Sequence, residues 1–376
     1  MNIAVNTRLL IRNKLEGIGL FTCESLKRIT TRHPEHRFYF IFDRPFDEEF
    51  LFSDNVIPIV QSPPARHPLL FLIWFEGMLP GLLERLKPDL FLSPDGFLSL
   101  RSNIRSMAVL HDLNFEHYPE DLPYWVRKYY LHYFPRFAQK AVRIATVSEY
   151  SREDIHLQYQ VARDRIDVVY NGANELFGPL TEEGKARVRQ EFTGGSPYFV
   201  FVGALHPRKN LANLFRAFDL FRRSCDSGVK LLIVGAKKWW TRSIEEAYRA
   251  MEHRDDVIFS GRIEADRLGG ILSSSIALTY VSYFEGFGIP IAEAFRCETA
   301  VITSNVTSMP EVAWDAAVIT DPFDPVSIAN AMIRLYKDES YRSELIRRGI
   351  ARKETFTWDK TADLLWQSIE KAIQTP

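Results

Sequence analysis

The sequence predicts an α/β protein built from two doubly wound, Rossmann-like domains. Three observations carry that expectation. At 376 residues the chain exceeds what one hydrophobic core usually serves, and two domains of about 150–200 residues are the natural division. Short apolar runs alternate with amphipathic stretches over about the first 170 residues, the pattern of a mostly parallel sheet wrapped by helices. After Phe177–Ser196, which carries Gly, Pro, Thr and charges and reads as the interdomain connection, the same alternation restarts.

In the first half, strands are expected at Asn2–Val5, Phe38–Phe42, Val56–Ile59, Asp89–Leu92, Ser106–Leu110, Arg143–Thr146 and Asp167–Val169. Gly17 and Gly19 lie between the first strand and an amphipathic helix that runs to about Arg32, where a backbone comes close to something such as a phosphate or a sugar. The spacing is not GxGxxG, because Thr22 stands where the third glycine belongs, so a dinucleotide fingerprint is absent. His111 and Asp112 follow a strand directly and so lie at its carboxyl end, where open α/β sheets bind ligands. Two aromatic-rich stretches, 69–80 and 124–136, have two readings. They are buried core helices with basic edges, or an interfacial surface seated on anionic lipid through Arg127, Lys128, His132 and Arg136.

In the second half, strands are expected at Tyr198–Val202, Lys230–Val234, Val257–Ser260, Ile276–Val281, Ala300–Thr303 and Ala317–Ile319. The first of them ends in Gly203, and Pro207 stiffens a loop that places Arg208 and Lys209 just before the helix Leu211–Phe221. Cations at a helix N-terminus oppose its dipole, so an anion is expected there. The fourth strand runs into Tyr283-Phe-Glu-Gly-Phe-Gly-Ile-Pro, then a short helix, Ile291–Phe295. Gly286 and Gly288 permit a tight turn, and Pro290 suits a first helical position. Glu285 lies in that turn and Glu293 about one turn into the helix, beside backbone N–H groups suited to phosphate. Both loops leave the carboxyl edge of one parallel sheet. Basic and acidic groups would converge there on a diphosphate flanked by hydroxylated sugars.

Composition narrows the classes. Apolar residues make up 46% and charged residues 25%, as in soluble globular proteins. The net charge of −1 provides no global field toward nucleic acid or membrane. Cys23, Cys225 and Cys297 are few, odd in number and not at metal-ligand spacing, which reads as a reduced, intracellular chain. The start enters a strand without a signal segment, and no apolar run reaches the length of a membrane span; a cytoplasmic protein is expected.

Several motifs carry a family likeness. Gly203-Ala-Leu-His-Pro-Arg-Lys-Asn210, the Glu285-x7-Glu293 loop and Ser304-Asn-Val-Thr-Ser-Met-Pro-Glu-Val312 resemble the retaining glycosyltransferases of family 4, which have the GT-B fold of two Rossmann-like domains with an interdomain cleft. Gly17-Ile-Gly19, Ser93-Pro-Asp-Gly-Phe97, His111-Asp-Leu113 and Phe356-Thr-Trp358 fit the same family, so the likeness spans nearly the whole chain. Ser-Pro-Asp-Gly and His-Asp-Leu resemble bacterial mannosyltransferases that use GDP-mannose to build surface polysaccharide.

The resemblance implies roles. Arg208 and Lys209 would bind and neutralise the donor diphosphate, Glu285 would hold sugar hydroxyls, and backbone N–H groups of Phe287 and Gly288 would lie nearby. Glu293 would accept from the ribose, Gly19 would let the first loop approach the phosphates, and His111 would face the transferred sugar. Arg262 and Ile263 match a position that contacts the base through backbone. Gly17 and Gly203 belong to the same donor-binding set. An acceptor-side domain of residues 1–177, joined by a returning helix at about 357–376, and a donor domain of residues 196–356 are expected. Two departures stand out. His206 replaces a common Glu, and Cys297-Glu-Thr-Ala300 replaces Cys-Gly-Thr-Pro, so the turn after the Glu293 helix lacks its glycine.

The chain contains no Asp-x-Asp to hold a metal, so a metal-independent reaction without cofactor is expected, with the cations and helix N-termini stabilising the leaving group. Retention of anomeric configuration is implied by the family. The acceptor would be a glycan or lipid-linked glycan, and nucleic acid is not a partner. A UDP-sugar donor and a non-catalytic sugar-nucleotide-binding scaffold are the alternatives. A nicotinamide-dependent oxidoreductase lacks its glycine fingerprint here.

Overall fold

The computed structural model describes residues 1–225, 227–237 and 239–375. Contacts divide it into two units, Met1–Gly172 with Trp358–Pro376, and Ala173–Thr357. Each is described by itself.

The first unit holds a sheet of β1 (Asn2–Asn6), β2 (Arg37–Phe42), β3 (Val56–Val60), β4 (Leu90–Ser93), β5 (Ser106–Val109), β6 (Arg143–Thr146) and β7 (Ile166–Val168). Their order is β3-β2-β1-β4-β5-β6-β7, and every pairing is parallel. β4 and β5 are buried along their whole length, as parallel strands covered on both faces must be. The helix Ile18–Arg32 packs against the C-terminal helix Trp358–Gln374, where Arg28 Nε donates to Asp359 at 2.9 Å and Arg32 Nη1 to Asp363 at 2.6 Å.

The aromatic stretch at 69–80 forms the short helix Pro68–Phe71, a π-helical segment Leu72–Met78 and the start of the helix Leu79–Leu86. The stretch at 124–136 opens the helix Tyr124–Lys140. Phe71, Trp74, Phe75, Tyr129, Phe134 and Phe137 share one core, while Leu69, Ile73, Tyr124 and Trp125 remain exposed. The core reading therefore holds for the buried side chains of both stretches. Among the described residues, no helix is long and apolar enough to cross a membrane.

The second unit holds β8 (Tyr198–Val202), β9 (Lys230–Val234), β10 (Val257–Gly261), β11 (Ala277–Tyr280), β12 (Ala300–Ser304) and β13 (Val318–Thr320), in the order β10-β9-β8-β11-β12-β13, again all parallel. Both sheets thus reverse direction beside their first strand, between β1 and β4 and between β8 and β11. Ligands of doubly wound sheets bind outside the carboxyl ends at such a switch point.

The unit boundary differs from the sequence reading, which ended the first domain at 177 and began the second at 196. It falls between Gly172 and Ala173. Phe177–Ser196 is not a free connection, because it contains the helix Glu182–Thr193, which packs on the helix Ala265–Ser273. Leu180 N donates to Ser273 Oγ at 2.8 Å, and Arg189 Nε donates to Ser274 O at 3.0 Å. A helix with so few apolar residues carries a weak periodic signal, and so its sequence resembles a linker.

Candidate active site

Two loops of the second unit flank its switch point. The first leaves β8 at Gly203, whose φ of 149° few side-chain-bearing residues adopt, and whose N–H donates to Val234 O at 2.9 Å. Gly235 ends the neighbouring β9, and a Cβ there would lie 1.8 Å from Gly203 O. The two strand ends therefore touch backbone to backbone.

Beyond Gly203 the chain forms a tight turn, Pro207–Lys209, in which His206 Nδ1 accepts from Arg208 N at 3.2 Å. The histidine that replaces the family's Glu thus caps the turn carrying both cations. Asn210 follows at φ 61°, a left-handed conformation that Asn tolerates. Its Nδ2 donates to Val281 O at 2.9 Å and to Pro322 O at 2.6 Å, which pins the first loop to the segments that follow β11 and β13.

The second loop brings Glu285 to those cations. Glu285 Oε2 accepts from Arg208 Nη1 at 2.9 Å, and Oε1 accepts from Lys209 Nζ at 2.6 Å. Arg208 also donates to Phe284 O at 3.0 Å, and its own carbonyl accepts from Tyr283 N at 3.0 Å. Burial would raise the Glu285 carboxyl, but the adjacent Arg208 and Lys209 overcome it and hold the group at about 2. Two cations and one carboxylate leave this cluster with an excess positive charge.

Glu293 lies in a different environment. It sits in the helix Ile289–Arg296, is 8% exposed, and is raised to about 7 by burial alone. The cations that depress Glu285 do not depress Glu293. Of the four charged residues read from the sequence, the structure joins Arg208, Lys209 and Glu285 in one network and sets Glu293 apart on the same turn–helix unit.

The remaining sequence candidates are placed as follows. Gly288 caps the Glu293 helix at φ 100°, and the Phe287 ring packs on Phe356 with centroids 5.3 Å apart. Arg262 and Ile263 follow β10 at the carboxyl edge. In the first unit, Gly17 caps the helix Ile18–Arg32 at φ 47°. Gly19 is buried, and a Cβ on it would approach Leu9 O to 3.1 Å, so its own backbone neighbours already account for a glycine. His111, at the carboxyl end of β5, is bonded through Nε2 to Pro94 O at 2.9 Å and packs edge-on against Phe21. Burial lowers its pKa and keeps the ring neutral.

Sequence reasoning missed four participants. Tyr280, the last residue of β11, accepts from Lys209 Nζ at 2.6 Å and lies under the ammonium at 4.8 Å. Thr307 Oγ1 accepts from Glu285 N at 3.3 Å, and Ser308 Oγ donates to Glu285 O at 2.9 Å and Phe287 O at 3.1 Å. Both belong to the motif at 304–312. Gly235 was the most legible of the missed positions, because it repeats the strand-ending glycine of Gly203.

Residues 21–175 match the family model described as Glycosyltransferase Family 4, and residues 182–352 match that described as Glycosyl transferases group 1. The chain is 25% identical over 364 residues to O-antigen chain mannosyltransferase B of Escherichia coli, covering 93% of this chain and 94% of that one. Among solved structures, it is similar to a sucrose-phosphate synthase from Thermosynechococcus elongatus, with a TM-score of 0.79, 19% identity and full coverage of both chains. It is also similar to Anabaena HepE in complex with UDP-glucose, with a TM-score of 0.77 and 16% identity over 99% of this chain and 100% of that one. The two family models and the fold together define a glycosyltransferase of the GT-B class. Within that class, the chain belongs to glycosyltransferase family 4. Its three buried cysteines are all free thiols.

Proposed function

We propose that the protein transfers mannose from GDP-mannose to a glycan or lipid-linked glycan in surface polysaccharide biosynthesis, with retention and without a metal ion. The observation that carries this reading is the clamp of Arg208 and Lys209 on Glu285 at the switch point. In transfer, the bond between the anomeric carbon and the β-phosphate oxygen breaks, and negative charge collects on departing GDP. Arg208 and Lys209 neutralise that charge where it develops, the role for which preorganised donors are most effective. The acceptor oxygen attacks from the same face, and its proton passes to the departing phosphate oxygen.

Glu285 then orients sugar hydroxyls, with the backbone N–H groups of Phe287 and Gly288 beside them. Glu293 accepts from the ribose hydroxyls, Arg262 and Ile263 meet the base through backbone, and Gly203 keeps the phosphate loop close. Gly17, Gly19 and His111 are the first unit's candidates toward phosphate and transferred sugar. The similarity to an O-antigen mannosyltransferase supports the choice of mannose.

A UDP-sugar donor is the second reading, favoured by the likeness to a protein solved with UDP-glucose. Thermal-shift titration with GDP, UDP, ADP and NAD separates them, because a ligand of the folded state raises its melting temperature. The largest shift is expected with GDP, and a larger one with UDP overturns the donor assignment. Chelator-treated enzyme should retain full transfer activity, and proton NMR of the product should show the donor's anomeric configuration. We further propose that the protein works in the cytoplasm and docks peripherally on anionic lipid. Leu69, Tyr124 and Trp125 are exposed in the first unit, and Arg127 and Lys128 lie over the Tyr124 ring.

A further inference from the structure

The turn between the helix Ile18–Arg32 and β2 reads His33-Pro34-Glu35-His36, and its three ligand-type side chains converge. His36 Nε2 lies 3.2 Å from Glu35 Oε1, and His33 Nδ1 lies 3.7 Å from the same oxygen. The three ligand atoms lie within 4.8 Å of one another. In a tetrahedral zinc site, bonds of about 2.0–2.1 Å place neighbouring ligand atoms about 3.3 Å apart. Two of the three edges are therefore already near the required length, and the third is no longer than 4.8 Å.

The ring planes are set from outside the turn. Trp366, on the C-terminal helix, stacks on His33 with centroids 3.8 Å apart and lies 5.2 Å from His36. The two imidazoles are parallel to within 5°. They are mostly covered, whereas Glu35 reaches solvent, which leaves an open side for water. The other group of this kind among the described residues, Asp219, Glu252 and His253, is a poorer host. Arg223 already engages both of its carboxylates, at 3.1 and 2.8 Å.

We propose that His33, Glu35 and His36 form a binding site for a borderline divalent cation, Zn²⁺ being the ion that two imidazoles and one carboxylate suit. The site lies at the amino edge of the seven-stranded sheet, whereas His111 lies at the carboxyl edge of the same unit. Its role is structural: it ties the turn beneath Trp366 and so fastens the C-terminal helix. Metal on His36 Nε2 places that ring's proton on Nδ1, which lies 3.2 Å from the Met1 amine. The amine must then be neutral or give way to water, and Met1 is exposed enough to do so.

The test is a titration of metal-stripped full-length protein with Co²⁺, followed by visible absorption and by tryptophan fluorescence, with Zn²⁺ as competitor. One equivalent should give the absorption of a tetrahedral complex and quench the fluorescence of Trp366. Trp366→Phe should lose most of the quenching and keep the absorption. His33→Ala combined with His36→Ala should weaken binding by at least about tenfold. His36→Gln alone serves if circular dichroism shows the double variant unfolded. Zn²⁺ should also raise the melting temperature of the wild type and not that of the variants. Absence of a tetrahedral absorption band, undiminished binding in the histidine variants, or loss of binding in Asp219→Asn instead would each overturn the assignment.

Discussion

Lys209 Nζ lies 2.6 Å from Glu285 Oε1 although the two residues are 76 positions apart in sequence. Adjacent strands β8 and β11 bring them together at the switch point, and Arg208 occupies the other carboxylate oxygen. The carboxylate screens the cations from each other, and the remaining positive charge favours an anion.

Removing either partner should have opposite effects on diphosphate binding. Lys209→Ala should lower kcat by about 100- to 1000-fold, the range for deleting one preorganised donor to a charge that develops in the transition state. Glu285→Gln should also cut turnover. It leaves two mostly buried cations without their counter-charge, so the ligand-free protein should melt earlier and GDP should raise its melting temperature more than in wild type. Equal GDP shifts in both proteins would argue against this electrostatic account.

Glu293 predicts a pH dependence of stability. Its folded pKa, about 7, lies above the ordinary 4.5, so between these values the folded state binds more protons than the unfolded state. This group's contribution to stability therefore falls as pH rises from about 4.5 to 7 and is flat above that, with a total of at most about 3 kcal/mol. Glu293→Gln should be more stable than wild type in denaturant melts at pH 8 and indistinguishable from it at pH 4.

The turn after that helix offers a stabilising substitution. Glu298 adopts φ 54°, with Thr299 N donating to Ala294 O at 2.9 Å, a Schellman termination whose left-handed position favours glycine. Glu298→Gly should raise stability by about 0.5–1 kcal/mol. The loose contact to Lys353, at 3.9 Å, offsets little of this gain. A melting temperature at or below that of wild type would refute the strain argument.

The exposed aromatic surface of the first unit makes a fourth prediction. Trp125→Ser with Lys128→Glu should reduce flotation with vesicles containing phosphatidylglycerol, and by more than any loss with neutral vesicles. Wild type that fails to float with either vesicle would remove lipid docking from the proposed function.

Every strand among the described residues was legible, to within a residue or two at each end, because buried parallel strands such as Tyr198–Val202 and Leu90–Ser93 read as apolar runs. The glycines and cations after β8 were also visible, since strand-ending turns and paired basic residues are local features. The helix Glu182–Thr193 was not, because charged residues dominate its sequence. Tyr280 was hidden for a different reason: it is one apolar-looking residue in a strand, and only the neighbouring β8 loop gives its hydroxyl a partner.

Local spacing and residue type fix the two alternating α/β patterns, the loops that carry charge, and the family motifs. Tertiary structure decided which charges meet. Strand order places the β8 and β11 loops side by side, so Glu285 is held ionised by two cations. Glu293, eight residues further along, is left to burial alone and drifts toward the neutral form. Carboxylates of identical chemistry thus acquire opposite shifts, because solvent exclusion and neighbouring charge are properties of packing and not of chain position.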